Sequence, residues 1–272
     1  MRDDERHGHL RGGRCVRQVG LLAVLRDVLT AFRLLTVVPV GRTEGIGASR
    51  YFPLVGYFFA GVSLVLAWGA GEAGLSDGLG ALLTATMIVS ANALLSGLLH
   101  WDGLADCADG LGVRGGAERA LAAMKASGIG AFGVVAVVLV ALLQVTAIAV
   151  IVESGSLWAL AAAPVLGRLG ASFALGLRAP ARLDGLGARY AGRMSAAALV
   201  LLVVQALPLV AWTGRPEPLL TLGTFGGVLV AFFAPEPFVR RFGGVTGDVL
   251  GATILLTETA VLLLGALAVG PL

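Results

Sequence analysis

The sequence predicts an all-α protein: a polytopic membrane helix bundle with about seven transmembrane helices and an N-terminal amphipathic helix. Of its 272 residues, 57% are hydrophobic and 14% are charged, whereas soluble domains carry about 25% charged residues. Apolar segments of bilayer-spanning length recur along the chain, and basic residues cluster in alternate loops. The net charge of +3 therefore reflects membrane topology, and no nucleic-acid partner is expected.

The N-terminal residues are polar and rich in arginine. Residues 1–27 are predicted to be a disordered cytoplasmic tail, followed by a single transmembrane domain over residues 28–272. Across the boundary between the two, residues 20–40 have the pattern of an amphipathic helix that lies on the membrane or packs against the bundle.

Seven segments are apolar enough over roughly 17–25 residues to cross a bilayer. Of the 20 Lys and Arg residues, 18 lie in the tail and in every second loop, and only Arg215 lies in the remaining loops. The positive-inside rule then places the N-terminus in the cytoplasm and the C-terminus outside. The predicted spans are 51–70, 79–99, 129–152, 157–177, 195–213, 218–235 and 249–269.

An acidic cluster, HWDGLADCADG at residues 100–110, follows the second span directly. If the helix continues, Asp102, Asp106 and Asp109 lie at i, i+4 and i+7 on one face. Carboxylate oxygens are the ligands that Mg²⁺ prefers, and such an ion leaves positions for phosphate. The stripe with the adjoining His100 therefore favours a Mg²⁺ or phosphate site, with a solvated acidic helix end as the alternative.

Other residues on the same predicted face fit a phosphate site. Thr246 and Asp248 precede the last span, where a helix N-terminus attracts anions, although they equally fit an ordinary N-cap. Arg119 and Lys125 lie just after the acidic cluster and are candidates for holding a diphosphate, or else simple topology charges.

Two further ionisable residues, Arg168 and Glu258, lie inside predicted spans. Such groups are costly in a bilayer and normally face the bundle interior or a wet cavity. We expect them to pair with each other and count them as candidate substrate-binding residues.

These motifs resemble those of the cobalamin synthase family, the adenosylcobinamide-GDP ribazoletransferases. The family pattern His-x-Asp-Gly-x-Ala-Asp-x-x-Asp-Gly is matched by residues 100–110, and Gly-Gly-x-Thr-Gly-Asp-x-Leu-Gly-Ala by residues 243–252, with Glu258 ten residues after that Asp. MKASGIGAFG, AFRLLTVVPV and RYFPLVGYFFAG are similar to further family stretches. The resemblance covers about residues 28–265.

The resemblance implies a Mg²⁺-dependent membrane enzyme that joins α-ribazole, or its 5′-phosphate, to adenosylcobinamide-GDP and releases GMP. It would act in the cytoplasmic membrane of a bacterium or archaeon, with residues 28–272 as the catalytic domain. Asp102, Asp106 and Asp109 would hold the metal, and His100 would accept the proton of the attacking hydroxyl or support the site indirectly. Other nucleotide-loop assembly enzymes and a second copy of the chain are possible partners.

The sequence departs from the family pattern at two positions. Ala126 stands where the family has an Asp after Met-Lys, and Leu255 stands where an acidic residue is common. If either acid supports metal or substrate, this chain has fewer ligands.

Three alternative functions are a related phosphotransferase, a transporter and a structural subunit. A CDP-alcohol phosphotransferase catalyses the same reaction type, but this chain has Asp106 where that enzyme's pattern has Arg. A transporter would place its polar groups near mid-membrane and often shows internal repeats. A structural membrane subunit would not need the acidic stripe.

Overall fold

The computed structural model describes residues 5–125, 128–192, 194–212 and 218–269. These residues form helices, without a strand in the described ranges, and the all-α prediction is confirmed. A 3-10 turn covers Ala48–Tyr51. The helices are α1 Glu5–Leu35, α2 Phe52–Glu72, α3 Gly78–Leu95, α4 Leu99–Gly112, α5 Ala117–Ala123, α6 Ala131–Ser154, α7 Trp158–Leu177, α8 Gly185–Tyr190, α9 Ala196–Trp212, α10 Pro218–Phe233, α11 Glu236–Phe242 and α12 Gly247–Val269.

A helix occupies each of the seven predicted spans. Five of the described helical segments, which include α2, α3, α6, α7 and α12, are long and apolar enough to cross a membrane. The other two, α9 and α10, have 17 and 16 residues. At 1.5 Å per residue they are about 25 Å long, slightly shorter than a hydrocarbon core of about 30 Å.

The bundle is built around α7, in which every residue from Trp158 to Gly176 is buried. Small residues let its neighbours approach closely, as is usual between membrane helices. A Cβ atom on Gly56 of α2 would lie 2.5 Å from the Val165 backbone, and one on Gly170 would lie 3.0 Å from the Ala231 carbonyl. Large side chains on these glycines would therefore separate α7 from α2 and α10.

The acidic cluster is helical, but it does not continue the helix of the second span. Helix α3 ends at Leu95, and Gly97 and Leu98 both have positive φ angles, of 62° and 61°. The Leu98 N–H donates to the Ala93 carbonyl, and the Gly97 N–H donates to the Leu94 carbonyl. This C-terminal cap ends α3, so the acids lie on a separate short helix, α4.

The N-terminal residues also differ from their prediction. Helix α1 begins at Glu5 and covers most of the segment predicted to be disordered. The segment contains Arg, Leu and Glu, which favour helix, and no proline that would interrupt it. The last part of α1 is integrated into the bundle: Thr30, Ala31 and Leu35 are buried, whereas Leu21 and Leu22, earlier in the helix, are exposed.

Candidate active site

Asp102 and Asp106 lie one turn apart on the same face of α4 and line an open groove. The groove lies between α4 and the beginning of α6 and has a volume of about 470 Å³. Trp101, Ile129 and Val137 form its apolar wall. Because Asp102 is exposed and Asp106 is half-buried, a large polar ligand has access to both carboxylates.

A third carboxylate, that of Asp248, comes from the first turn of α12. A Cβ atom on Gly103 would lie 2.7 Å from the Asp248 carbonyl oxygen, so this glycine brings α4 and α12 into contact. Burial, followed by repulsion from Asp248, Asp102 and Asp109, raises the pKa of Asp106 to about 6, against an opposing effect of Arg182. Acids from two helices therefore share one electrostatic site.

Asp109 shares the helical face but has a different environment. Its Oδ2 accepts a hydrogen bond from the Gly130 N–H at 2.7 Å, and its Oδ1 accepts one from the Gly133 N–H at 2.9 Å. Both oxygens thus satisfy free N–H groups at the N-terminus of α6. Asp109 joins α4 to α6, and the spaced glycines of the GIGAFG stretch make room for its carboxylate.

The predicted trio of metal ligands does not converge in the structure. Within the described parts of the chain, no three His, Cys, Asp or Glu side chains are close enough to hold one ion. Asp109 also repels Asp106, but its own carboxylate is bound to α6, so the acids left open to a ligand are Asp102, Asp106 and Asp248.

Thr246 is an N-cap, one of the two roles considered for it. The Val249 N–H donates to its Oγ1 at 3.2 Å, as expected for a residue that caps the first turn of α12. The hydroxyl donates to Asp248 Oδ2 at 3.3 Å. Thr246 therefore both starts the helix and orients the third carboxylate.

Arg182 is a residue of the site that sequence analysis missed. The segment before it pairs with the segment before α12: the Ala181 N–H donates to the Val245 carbonyl, and the Val245 N–H to the Ala179 carbonyl. This pairing puts Arg182 beside Asp248, in a cleft of about 110 Å³ that Thr246 also lines. Since residues 182 and 248 are far apart in sequence, no local motif marks the pair.

Arg119 and Lys125, the basic residues chosen from the sequence, lie in and just after α5 and are exposed. Arg182, not Arg119 or Lys125, is the cation that acts on Asp106 electrostatically. Ala126, the first departure from the family pattern, lies outside the described residues. Leu255, the second departure, is buried in the core and lines an interior chamber.

His100 lies on the opposite side of α4 from the acids and faces the bundle interior. It is 3% exposed, and its backbone contacts Gly251 of α12, where an added Cβ atom would lie 3.0 Å from the His100 Cα. Burial, with a smaller effect of Arg168, holds the pKa of His100 well below its ordinary value. The side chain is therefore neutral at neutral pH.

Arg168 and Glu258 form an ion pair between α7 and α12, as predicted. Arg168 is 2% exposed, and its guanidinium carbon lies 4.1 Å from the centre of the Phe59 ring. With His100, the pair lines the interior chamber. Apart from the exposed Arg119 and Lys125, the candidate residues therefore lie in two places. One is the acidic cleft at the helix ends, formed by Asp102, Asp106, Asp248 and Arg182, and the other is the chamber behind it.

The fold and the cleft define a helical membrane protein with carboxylates and a cation at converging helix ends, which suits chemistry on phosphate esters. The profile of the cobalamin-5-phosphate synthase family matches residues 27–266. The chain belongs to this family. The match covers the region over which the motifs resembled it.

Curated relatives support the same assignment, and each is named adenosylcobinamide-GDP ribazoletransferase. The relative from Frankia casuarinae is 38% identical over 272 residues, covering 90% of this chain and 96% of its own length. The one from Pseudomonas fluorescens is 39% identical over 245 residues, covering 86% and 96%. The one from Sinorhizobium medicae is 38% identical over 258 residues, covering 89% and 95%.

No solved structure matches the chain. The family assignment does not favour the alternative of a CDP-alcohol phosphotransferase.

Proposed function

We propose that this chain transfers the adenosylcobinamide phosphate group of adenosylcobinamide-GDP to a hydroxyl of α-ribazole or α-ribazole 5′-phosphate. The hydroxyl oxygen bonds to phosphorus, the bond between that phosphorus and the bridging diphosphate oxygen breaks, and GMP leaves. The products are adenosylcobalamin, or its 5′-phosphate, and GMP.

The observation that carries this proposal is the convergence of Asp102, Asp106 and Asp248 with Arg182 in a member of this family. The three carboxylates are near enough to repel each other, as the raised pKa of Asp106 indicates. Such an arrangement costs stability, and chemistry that uses a bound cation gives it a function. The groove beside the cluster is open, so a bulky substrate can reach the carboxylates without being enclosed.

Mg²⁺ suits these residues. The ion is often bound by only one or two carboxylates, together with waters and substrate phosphates. Asp102 and Asp106, one turn apart on α4, would hold it, and its positive charge would relieve their repulsion. When bound, Mg²⁺ neutralises charge on the diphosphate.

The remaining groups of the cleft have separate roles in the proposal. Asp248 accepts the proton of the attacking hydroxyl, a role first assigned to His100, which faces away from the cleft. Arg182 binds the phosphate of the departing nucleotide through charge-assisted hydrogen bonds. Asp109 positions α4 against α6 and so fixes the direction in which Asp102 and Asp106 point.

Purified protein in nanodiscs tests the proposal. Adenosylcobinamide-GDP and α-ribazole 5′-phosphate are supplied with and without Mg²⁺, and GMP release is followed. We expect GMP only with Mg²⁺, and loss of turnover by orders of magnitude in Asp102→Asn and Asp106→Asn. Asp77→Asn, an exposed acid before α3, is the matched control and should retain full activity.

Two outcomes would contradict the proposal. One is the absence of GMP from well-folded protein with both substrates and Mg²⁺. The other is product formation when CDP-diacylglycerol replaces the donor and glycerol 3-phosphate replaces the acceptor.

A further inference from the structure

Arg241, near the end of α11, holds the C-terminal end of the acidic helix α4. Its Nη1 donates to the Gly115 carbonyl at 2.9 Å, and its Nη2 donates to the Val113 carbonyl at 2.6 Å. Both carbonyls lie just beyond Gly112, where α4 ends. Because the guanidinium is a rigid planar fork, two such bonds fix the direction of the bound chain as well as its distance.

The same two helices pack against each other at Gly110. A Cβ atom on Gly110 would lie 2.9 Å from Cε1 of the Phe242 ring, which is itself buried. The glycine therefore lets α4 lie directly on α11, about one turn before the carbonyls that Arg241 binds. A packing contact and a hydrogen-bonded contact together attach the end of α4 to α11.

This attachment relates α4 to the helix that carries Asp248, because only residues 243–246 separate α11 from α12. Near its own beginning, α4 already touches α12, where Gly103 meets the Asp248 carbonyl. From Gly103 to Val113 the chain advances about 15 Å. Arg241 thus supplies a second, distant point of attachment to the same pair of helices, and two points fix the angle of α4 where one does not.

The charge of Arg241 also suits this position. A helix carries partial negative charge at its C-terminal end, where a cation is favourable. Helix α4 has no basic residue in its own last turn, so α11 provides one. Since two nitrogens of the guanidinium are bonded to the backbone beyond α4, the side chain supports this helix rather than a substrate.

Asp109 fixes α4 in a different direction. Its two hydrogen bonds go to α6, which contributes no carboxylate to the acidic cleft. Asp109 therefore sets α4 against α6, whereas Arg241 sets it against α11 and α12.

We propose that Arg241 is a positioning residue of the transfer reaction: it fixes the angle of α4 so that Asp102 and Asp106 face the same ligand as Asp248. This inference depends on the proposed function, since that function assigns these carboxylates to the reaction. Residues that orient metal-binding groups without touching the metal change metal affinity or activity by about 10–100-fold when they are replaced.

Two adjacent arginines of α11 provide a matched pair of variants. Arg241→Ala removes both hydrogen bonds to the end of α4, whereas Arg240→Ala removes the same side chain from a position where it is 82% exposed. Arg241→Lys keeps the charge but lacks the planar fork. With each protein in nanodiscs, backbone hydrogen exchange across α4 is measured in EDTA, and GMP release is measured against Mg²⁺ and both substrates.

Arg241→Ala should lower kcat and raise the Mg²⁺ concentration for half-maximal rate, each by roughly tenfold or more. The KM for α-ribazole 5′-phosphate should stay unchanged, and exchange at the end of α4 should become faster even without metal. Arg241→Lys should recover part of the loss, and Arg240→Ala should match the wild type throughout. If Arg241→Ala does not fold, Arg241→Lys decides, with an expected loss of several-fold in kcat.

Wild-type kcat and Mg²⁺ dependence in folded Arg241→Ala would overturn the inference, even if the variant melts earlier, because the contact would then be structural only. Failure of the proposed function would look different, since the wild type itself would release no GMP. Hydrogen exchange would then decide the inference alone. Faster exchange across α4 in Arg241→Ala than in Arg240→Ala would support the attachment, and equal exchange would overturn it.

Discussion

Asp102, Asp106 and Asp109 have the same side chain and share one face of α4, yet their surroundings differ. Asp102 is exposed, Asp106 is surrounded by like charges, and Asp109 accepts two backbone hydrogen bonds. Removing the negative charge should therefore have a different effect at each position.

The raised pKa of Asp106 predicts how stability depends on pH. Its pKa of about 6 in the folded protein lies above the ordinary value of 3.8. Between these values the folded state binds more protons than the unfolded state, so the contribution of Asp106 to stability falls as pH rises through about 6.

Metal-free protein in EDTA should therefore lose thermal stability between pH 5 and about pH 7. Asp106→Asn should reduce this loss, and melting midpoints measured across the range would show it. If the melting midpoints of the wild type and the variant changed in the same way with pH, the raised pKa of Asp106 would be contradicted. Added Mg²⁺ should raise the wild-type midpoint more at the higher pH, where it does not compete with a proton.

Asp109→Asn and Asp102→Asn should separate structural from catalytic roles. An Asn has only one carbonyl oxygen and cannot accept both N–H groups of α6, so Asp109→Asn should lower the free energy of unfolding by about 1–3 kcal/mol. Asp102→Asn should leave stability nearly unchanged and abolish Mg²⁺-dependent GMP release.

Chemical denaturation and the GMP assay, applied to both variants, check this pair. If the Asp109→Asn variant is as stable as the wild type, the two hydrogen bonds contribute little to stability. Near-normal turnover in Asp102→Asn would favour a solvated acidic helix end, for which relief of repulsion is neutral or slightly stabilising.

The sequence predicts the acids on α4, but not that Asp109 binds the backbone of α6 while Asp102 and Asp106 stay open to a ligand. The i, i+4, i+7 spacing correctly gave a shared helical face, and the same periodicity already places His100 about 200° from Asp102. The partners of Asp109 and the approach of Arg182 depend on tertiary contacts between distant segments. These contacts leave no local sequence pattern, so the sequence points instead to Arg119 and Lys125, which follow the acids closely.

At the scale of helices, glycines determine which elements meet. Gly133 lies in α6, where an added Cβ atom would approach Asp109 Oδ2 to 2.6 Å and the Ala105 carbonyl to 3.0 Å. Gly61 lies in α2 with no atom within 4 Å of its Cβ position. The two positions form a matched pair for substitution by alanine.

Gly133→Ala should destabilise the protein by about 1–3 kcal/mol, because the methyl group pushes α6 away from α4. Gly61→Ala should be neutral or stabilise by up to about 1 kcal/mol through helix propensity. Unfolding in detergent with SDS as denaturant measures both. If the two substitutions changed the free energy of unfolding equally, separating α4 from α6 would have no energetic cost.

The ion pair between α7 and α12 can be tested with a double-mutant cycle. Arg168→Ala and Glu258→Ala should each destabilise by about 3–5 kcal/mol, since each leaves a buried charge without its partner. The double variant should be less destabilised than the sum of the single changes. Strict additivity would show that the two residues act separately.

The boundary between α3 and α4 shows where hydropathy alone fails. Residues 79–99 form one apolar run, so hydropathy predicts a single span. The run instead ends in a cap at Gly97 and Leu98, and Leu98 adopts a positive φ that costs a non-glycine residue energy. Leu98 also lines the acidic groove, so this strained turn sets the position from which α4 begins.

For the whole molecule, the number of crossings determines where the C-terminus lies. The sequence gives seven spans, whereas five described helical segments meet the length criterion and α9 and α10 are shorter. These two helices follow each other, with Arg178 and Arg182 before the pair and Arg240 and Arg241 after it. If both α9 and α10 cross the membrane, or neither does, the total number of crossings is odd.

Both counts therefore predict the same topology. The arginine-rich loops and the acidic cleft should face the cytoplasm, and the C-terminus should lie outside. Alkaline phosphatase fused after Leu272 should be active in cells, and green fluorescent protein at the same position should be dark. Fusions after Arg193 should give the reverse pattern. A fluorescent C-terminal fusion would mean that only one of α9 and α10 crosses, and would refute the paired arrangement.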